Sequence, residues 1–380
     1  MKMRKGKLNF YVTWCVYFCT FFIAKTSFAQ TFSYKKIGNI PSFVQNYDEL
    51  KQFNILKSSN VYVDATTYLP KQFVKNGSVD YTSYIQKAID ENSYLLMPNF
   101  PILINDKGLE IKSNRNILFN RGSIIYLKPS SKPNYEIIRI HSKKNVKIFS
   151  AKVVGDRTKH LNKKGEWGMG ISIISSSNVK VINANIRDCW GDGIYLGESN
   201  GIASHNITIS NGIIDNNRRN GISVISADGL YISNIILSNT NGTNPQAGID
   251  LEPNRNDNKL ININMKNIYT FNNFHQGVFF CLNNLNGGNN NTSIRLENHI
   301  DRGGTVAIGI MNVVPANKRA RSFNKLGGYL ELINVEGINN KINFRVFDKS
   351  NLEGLKVSIK KKNKALGFKT SGSLNGIVID

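Results

Sequence analysis

One short pattern, apolar-x-apolar-x-Asn, returns along this chain at irregular intervals. It reads Val179-x-Val181-x-Asn183, Ile207-x-Ile209-x-Asn211, Leu230-x-Ile232-x-Asn234, Ile263-x-Met265-x-Asn267, Ile294-x-Leu296-x-Asn298 and Leu330-x-Leu332-x-Asn334. Val146-x-Ile148-x-Ser150 is an earlier copy with Ser in place of Asn. The Asn-to-Asn steps are 28, 23, 33, 31 and 36 residues, so the variable lengths fall between the copies. A second motif, Gly-apolar-x-apolar, follows within each interval. Gly193, Gly221 and Gly277 open it ten residues after Asn183, Asn211 and Asn267, Gly248 opens it fourteen after Asn234, and Gly170 precedes them all. Alternation with period two marks a strand whose successive side chains face opposite ways. Two short strands per unit, with no helix between them and an Asn at a fixed turn, predict one coil of a parallel β-helix. A β-sandwich would need antiparallel hairpins every 8–12 residues, and the fixed Asn-to-Gly offset fits a coil better.

The predicted class is therefore all-β, a solenoid with a short N-terminal capping helix. The helix falls over residues 81–91, where Tyr81, Tyr84, Ile85, Ala88 and Ile89 recur at helical spacing and Ser78 or Asp80 would cap it. It would cover the first coil's open strand edges. Stacked coils would bring the asparagines into one ladder of side-chain amides, a structural role. The divisions expected are residues 1–29, 30–77 and 78–380, the last being the β-helix.

Stacking on the Gly-led strands makes columns readable. Ile171, Ile194, Ile222, Ile249 and Val278 point inward, and Ser172, Tyr195, Ser223, Asp250 and Phe279 point outward. Two residues on, Ile174, Gly197, Ile225, Glu252 and Cys281 also point outward. The turns before the strands add Asp188, Trp190 and Asp192, then Asp215, Arg218 and Arg219, then His275. Gly168 and Gly191 stand where later coils carry Arg219 and His275, and would leave room for a sugar ring. Asp156, Arg157, His160, Glu166 and Trp167 precede the Gly170 strand and would reach the same face. A lone turn Asp is ordinary turn chemistry, and Asp188 and Asp215 are read that way. The rest put acid, base, cation and aromatic groups on one strip, while other exposed positions are mostly Asn, Ser and Lys.

The pattern resembles the pectate-lyase-like superfamily of right-handed parallel β-helix proteins. The resemblance covers most of residues 78–347. It rests on the helix followed by Met97-Pro98-Asn99, on the Asn turns, and on the segments GDRTKH, GEWGMGI, DCWGDGIYLG, NRRNGISV and GIDLEPN. It implies a protein that acts on polysaccharide. The paired-aspartate, Gly-His-Gly and Arg-Ile-Lys set of polygalacturonases is missing, as is a pectate lyase signature, so neither substrate carries over.

Two chemistries compete on the strip. A glycoside hydrolase needs two carboxyls, about 5–5.5 Å apart for retention and about 6.5–9.5 Å for inversion. Asp250 and Glu252, at i and i+2, would lie about 6.6–7 Å apart by strand rise, and Asp192 and Asp250, two coils apart, on the order of 9.6 Å. Either pair suits inversion. A uronate lyase would use Arg218 or Arg219 to neutralise the sugar carboxylate and Tyr195 or His275 as base or acid. There the carboxylates would hold Ca²⁺, a hard cation that takes oxygen ligands. A C5-epimerase would use the same groups without cleavage, and a glycan-adhesive β-helix would use none of them catalytically. The expected catalytic set is Asp192, Asp250, Glu252, Arg218, Arg219 and His275. Tyr195, Trp167, Trp190, Asp156, Arg157, His160 and Glu166 would bind substrate, the tryptophans by stacking on sugar faces.

Lys2, Arg4, Lys5 and Lys7, the apolar run Phe10 to Ala24, and Ser27-Phe28-Ala29 match a secretory signal peptide cleaved near Ala29-Gln30. The run is short for a membrane span. Its removal would take away Lys2, Arg4, Lys5, Lys7 and Lys25 and change the net charge of +23 by 5, to +18. A basic exported chain fits an acidic polysaccharide better than nucleic acid. The run Lys360, Lys361, Lys362 and Lys364 reads as a solvated edge. Beyond the leader only Cys189 and Cys281 remain. Three coil steps put them roughly 14 Å apart, which predicts free thiols. No Cys/His cluster has zinc spacing.

Overall fold

The computed structural model describes residues 32–44, 47–286, 288, 291–313, 325–360, 370–371 and 377–379. The expected leader, residues 1–29, lies outside them, as do Lys361, Lys362 and Lys364. The chain divides into two units, Met1–Ser33 and Tyr34–Asp380. The second unit is a parallel β-helix. Strand pairs run parallel from Val63–Asp64 against Tyr94–Leu96 to Leu355–Lys360 against Ile377–Ile379. The Gly-led strands form one sheet: Leu109–Glu110, Asn134–His141, Trp167–Ile174, Ile194–Gly197, Ile222–Val224, Ile249–Leu251, Gln276–Cys281, Val306–Met311, Ile342–Val346 and Thr370–Ser371. The Asn-led strands belong to the other, with Ala227–Ser238, Leu260–Phe271, Asn291–Arg302 and Gly327–Ile338 passing through their Asn without a break.

The predicted register holds. Ile171, Ile194, Ile222, Ile249 and Val278 pair in sequence, and each is fully buried. The strand-opening glycines are a packing requirement. A Cβ on Gly193 would lie 2.3 Å from the Ile214 side chain, and one on Gly221 would lie 2.5 Å from the Gly248 carbonyl oxygen. No side chain fits there.

The Asn corners share one backbone conformation. Ser150, Asn183, Asn211, Asn234, Asn267, Asn298 and Asn334 all have φ between 49° and 58°. This left-handed region strains most L-residues and is tolerated best by Asn and Asp after Gly. The amides then join coil to coil. Asn234 Nδ2 donates to Asn211 Oδ1 (3.2 Å), Asn267 to Asn234 (2.9 Å), Asn298 to Asn267 (2.9 Å) and Asn334 to Asn298 (2.7 Å). The ladder skips one rung, because Asn211 Nδ2 turns to Ser210 Oγ instead of Asn183. A second ladder, beyond the predicted one, links Asn206, Asn178, Asn145 and Asn114 at another corner. A third corner pairs Asn216 with Asp188 and Asn272 with Asn239.

The helix spans Thr82–Glu91, with Ile85, Ala88 and Ile89 buried as expected and Tyr84 left exposed. Asp80 Oδ1 receives the Thr82 backbone N–H. A second helix, Glu49–Ser59, carries no periodic signal strong enough to predict. Its Phe53 and Leu56 pack on Leu96, Leu118 and Phe149. Residues 34–44 lie along the third corner. There Tyr34 donates to Asp215, Asn239 exchanges two hydrogen bonds with the Lys35 backbone, and Tyr269 donates to the Gly38 carbonyl. Among the described residues no helix is long and apolar enough to cross a membrane.

Replacing Asn267 by Ala removes two rungs and leaves a Cβ residue at φ 58°. At about 1 kcal/mol per hydrogen bond and about 1–2 kcal/mol for the backbone, the loss should reach about 3–4 kcal/mol in urea unfolding. Asn267→Gly should recover the backbone share. Equal stability of wild type and Asn267→Ala would mean that the ladder contributes nothing to holding the coils together.

Candidate functional site

The outward column of the Gly-led sheet runs Glu110, Arg139, Ser172, Tyr195, Ser223, Asp250, Phe279, Gly309 and Arg345, each paired with the next. The register is as predicted, but the strip is not open. Ser172, Ser223, Asp250 and Asp192 are at most 1% exposed. Arg219 covers them. Its Nη1 donates to Asp192 Oδ2 (3.1 Å) and Ser223 Oγ (3.3 Å), and its Nη2 donates to Glu252 Oε2 (3.1 Å). Arg219 reaches down because its own turn stands one coil above Gly191, whose carbonyl accepts the Arg219 N–H.

Asn220 completes the cluster and is absent from the residues expected there. Its backbone N–H donates to Asp192 Oδ1 (3.0 Å), and its Nδ2 donates to Asp250 Oδ2 (3.1 Å) and Ser223 Oγ (3.0 Å). Its Oδ1 accepts the Ala247 N–H (3.0 Å). An Asn just before the strand glycine could signal this role, but asparagine is so common in this chain that the signal is lost.

The electrostatics separate the three acids. Burial pushes the Asp250 carboxyl well above the ordinary carboxylate range. The Glu252 charge, a hydrogen bond with Glu252 and the Asp192 charge push the same way, against the pull of Arg219. Asp250 Oδ1 faces no N–H or O–H donor. Burial also raises Asp192, although Arg219, Ser223 and the Asn220 N–H favour its ionised form. Burial opposes the Arg219 charge, but Asp192, Glu252, Asp250 and Glu166 together raise its pKa above the ordinary value. Its Nε is buried without a partner. Glu252 is the acid that meets solvent, with its side chain 24% exposed. Tyr195, beside the cluster, is pushed up to about 12, chiefly by burial and then by Asp192, so its hydroxyl stays protonated. A Cβ on Gly197 would lie 2.6 Å from the Tyr195 ring, so glycine there seats the tyrosine.

Other expected site residues lie elsewhere. Arg218 does not join Arg219: its guanidinium stacks 3.8 Å from the Trp190 ring centroid, and its Nη1 donates to the Gly165 carbonyl (2.9 Å). Trp190 is not a sugar platform. It is 8% exposed, with the His160 ring stacked on it at 4.1 Å. His160 and Asp156 are fully buried side chains, not substrate contacts. His160 Nδ1 donates to Asp156 Oδ2 (2.8 Å), and Asp156 also accepts from the Tyr135 hydroxyl and the Ser130 N–H. Arg157 clamps the Asn216 and Asn241 carbonyls. The space beside Gly168 and Gly191 is filled, since Cβ atoms there would meet Tyr135 and the Glu166 carbonyl at 2.5 Å. His275 donates to the Pro245 carbonyl (3.1 Å), and burial lowers its pKa. Trp167 is 46% exposed, and Glu166 is half-buried, close enough for its charge to act on both Arg218 and Arg219. Asp188 and Asp215 serve turns, the latter bound by Tyr34, Ser238 and Asn239. Cys189 and Cys281 are free and buried.

Among the described residues no group of three or more His, Cys, Asp or Glu is arranged to hold a metal ion. Where a cation would bridge Asp192 and Glu252, the Arg219 guanidinium already does.

No family model matches the chain. The uncharacterized protein YclG of Bacillus subtilis (strain 168) is 27% identical over 231 residues, 55% of this chain and 38% of that protein. The curated relatives matched are much longer, with only 28% and 38% of their lengths covered. Among solved structures, a Family 28 exopolygalacturonase of Yersinia enterocolitica aligns with a TM-score of 0.53 at 12% identity, over 84% of this chain and 70% of that one. PfbA, a surface adhesin of Streptococcus pneumoniae, aligns at 0.50 and 13% identity, over 80% of each chain. The fold is thus one shared by pectate-lyase-like polysaccharide enzymes and by an adhesin.

The raised Asp250 pKa sets a sign for stability. Its folded value lies above the unfolded value of about 3.9, so the native state holds the extra proton and loses stability as pH rises from there through the folded pKa. Asp250→Asn mimics the protonated acid and removes that dependence. Its melting temperature should match or exceed wild type at pH 7 and lose the advantage near pH 4. Parallel melting curves across that range would place Asp250 in an ordinary carboxylate environment.

Proposed function

We propose that the protein is an exported glycoside hydrolase that cleaves a polysaccharide by acid–base chemistry at Asp192, Asp250 and Glu252, held together by Arg219. One observation carries this reading: three carboxyls, Asp192, Asp250 and Glu252, gather around one guanidinium, Arg219, and one amide, Asn220, with Glu252 the one that meets solvent. Carboxyls pushed into different protonation states by their surroundings are the acid and base that glycoside cleavage needs.

In this scheme Glu252, the acid that meets solvent, passes to the leaving glycosidic oxygen the proton that burial favours on Asp250. Asp192, whose basicity burial has raised, takes a proton from the attacking water once Arg219 swings aside. Asp192 and Glu252 lie on the two Nη atoms of one guanidinium, each 3.1 Å away, so moving Arg219 leaves room between them for the water that inversion needs. Elimination fits less well. It needs an uncommitted cation and a free base beside the reacting sugar, whereas at the cluster Arg219 is committed to two acids, and nearby Arg218 is committed to Trp190 and His275 to a carbonyl.

One observation favours a second reading, a glycan-binding surface without catalysis: Asp192 and Asp250 have no exposed surface beneath Arg219. Product chemistry separates the two. On a panel of acidic and neutral polysaccharides, a hydrolase yields new reducing ends without the ultraviolet absorbance of an unsaturated uronate. Asp250→Asn, Glu252→Gln and Asp192→Asn should each lower kcat about 10²–10⁴-fold, the scale of one general acid or base, while the fold still melts cooperatively. Binding without product would favour the second reading, and full activity in all three variants would move the chemistry elsewhere.

A further inference from the structure

Beyond Asp250 the outward column changes character. Phe279 follows it, then Gly309, then Arg345, each in register with the one before. Gly309 contributes no side chain, and two rings take its place: an added Cβ would lie 3.1 Å from Phe347 and 3.2 Å from Phe279. The rings stand 5.5 Å apart by centroid. The Arg345 guanidinium lies 4.3 Å from the Phe347 centroid. Ala247, Cys281 and Met311 complete an apolar patch with these rings.

Arg345 differs from the other arginines of this face. Arg219 is held by two acids. On the far side of the cluster, Arg139 donates to the Lys107 carbonyl and lies within reach of the Glu110 and Glu136 charges. Among the described residues Arg345 has no carboxylate at ion-pair distance and no side-chain hydrogen bond, and it is half-buried on an aromatic ring. A guanidinium on an aromatic face keeps its in-plane N–H donors free for a planar anion.

We infer that Arg345 and the half-buried Phe347 form a subsite for a negatively charged sugar, with the Phe347 ring against the apolar face of the sugar, Phe279 buried behind it, and Arg345 on the carboxylate or sulfate. This deepens the reading above, because it assigns an anionic glycan and a direction: the charged sugar lies on the Arg345 side of the acid cluster. Three strand steps separate Arg345 from Asp250, roughly 14 Å. The subsite therefore binds ground state and transition state alike, so its loss raises KM and leaves kcat unchanged.

The test uses the full chain in affinity electrophoresis through a uronate polymer, a sulfated galactan and neutral dextran. The two anionic gels distinguish carboxylate from sulfate as the charge recognised. Wild type should be retarded by at least one anionic gel and not by dextran. Arg345→Gln should weaken that binding about tenfold or more, as expected for one contact to a charged group. Arg345→Lys should restore part of it, and Phe347→Leu, which keeps apolar bulk, should weaken it too. Thermal melts identify any variant that has merely unfolded. Unchanged affinity in a folded Arg345→Gln, or no retardation of wild type by either anionic polymer, overturns the subsite. The two proposals fail separately. Arg345-dependent binding without cleavage sinks only the hydrolase, and cleavage with KM and affinity unchanged in Arg345→Gln sinks only the subsite.

Discussion

From Ser150 to Asn334, the coils of this protein turn one corner through the left-handed region of backbone space. That constraint orders the rest. Asparagine meets it at small steric cost and offers an amide that bonds to the coil above and the coil below. With the corners fixed, strands of neighbouring coils fall into register, and a one-residue slip would turn every inward isoleucine to the outside. The register holds through Ile171, Ile194, Ile222, Ile249 and Val278. It also delivers residues that are far apart in sequence, such as Asp192, Arg219 and Glu252, to one place on the sheet.

At that place a single guanidinium decides the chemistry. Three acids and one buried arginine cannot all be ionised without leaving uncompensated charge away from water. The cluster settles this by dividing its partners: Arg219 bonds to Asp192 and Glu252, and burial beside Glu252 favours the protonated form of Asp250. Asn220 fixes the geometry by donating from both its backbone and its side chain. The neighbouring arginine, Arg218, takes no part, because the Trp190 ring and the Gly165 carbonyl hold it away.

The fold is legible from residue patterns because its signals repeat. The inward columns, the Asn ladder and the helix over residues 82–91 all follow from periodicity. The second ladder, Asn114 to Asn206, escapes that reading because its asparagines precede their strands' apolar pairs and do not stand out as a column. The helix Glu49–Ser59 escapes it because it leans on Leu96 and Phe149 with few side chains and little periodic pattern. In the site, the column holding Tyr195, Ser223 and Asp250 is readable. The burial of that column is not, since strand alternation gives a side chain's direction and says nothing about what lies over it.

The sequence by itself determined the coil, its register, which residues face outward and the free state of the two cysteines, because each follows from a local period multiplied by a fixed strand spacing. Tertiary structure decided which outward residues meet solvent and which become partners. Arg218 and Arg219 are adjacent and alike in sequence, yet one stacks on a tryptophan and the other bridges two acids. Asp156 and His160 read as surface groups and form a buried pair beside Tyr135 and Trp190. The reason is physical: long side chains choose their partners across coils, and a pairwise choice among arginines, acids and rings depends on distances that no single strand's pattern contains.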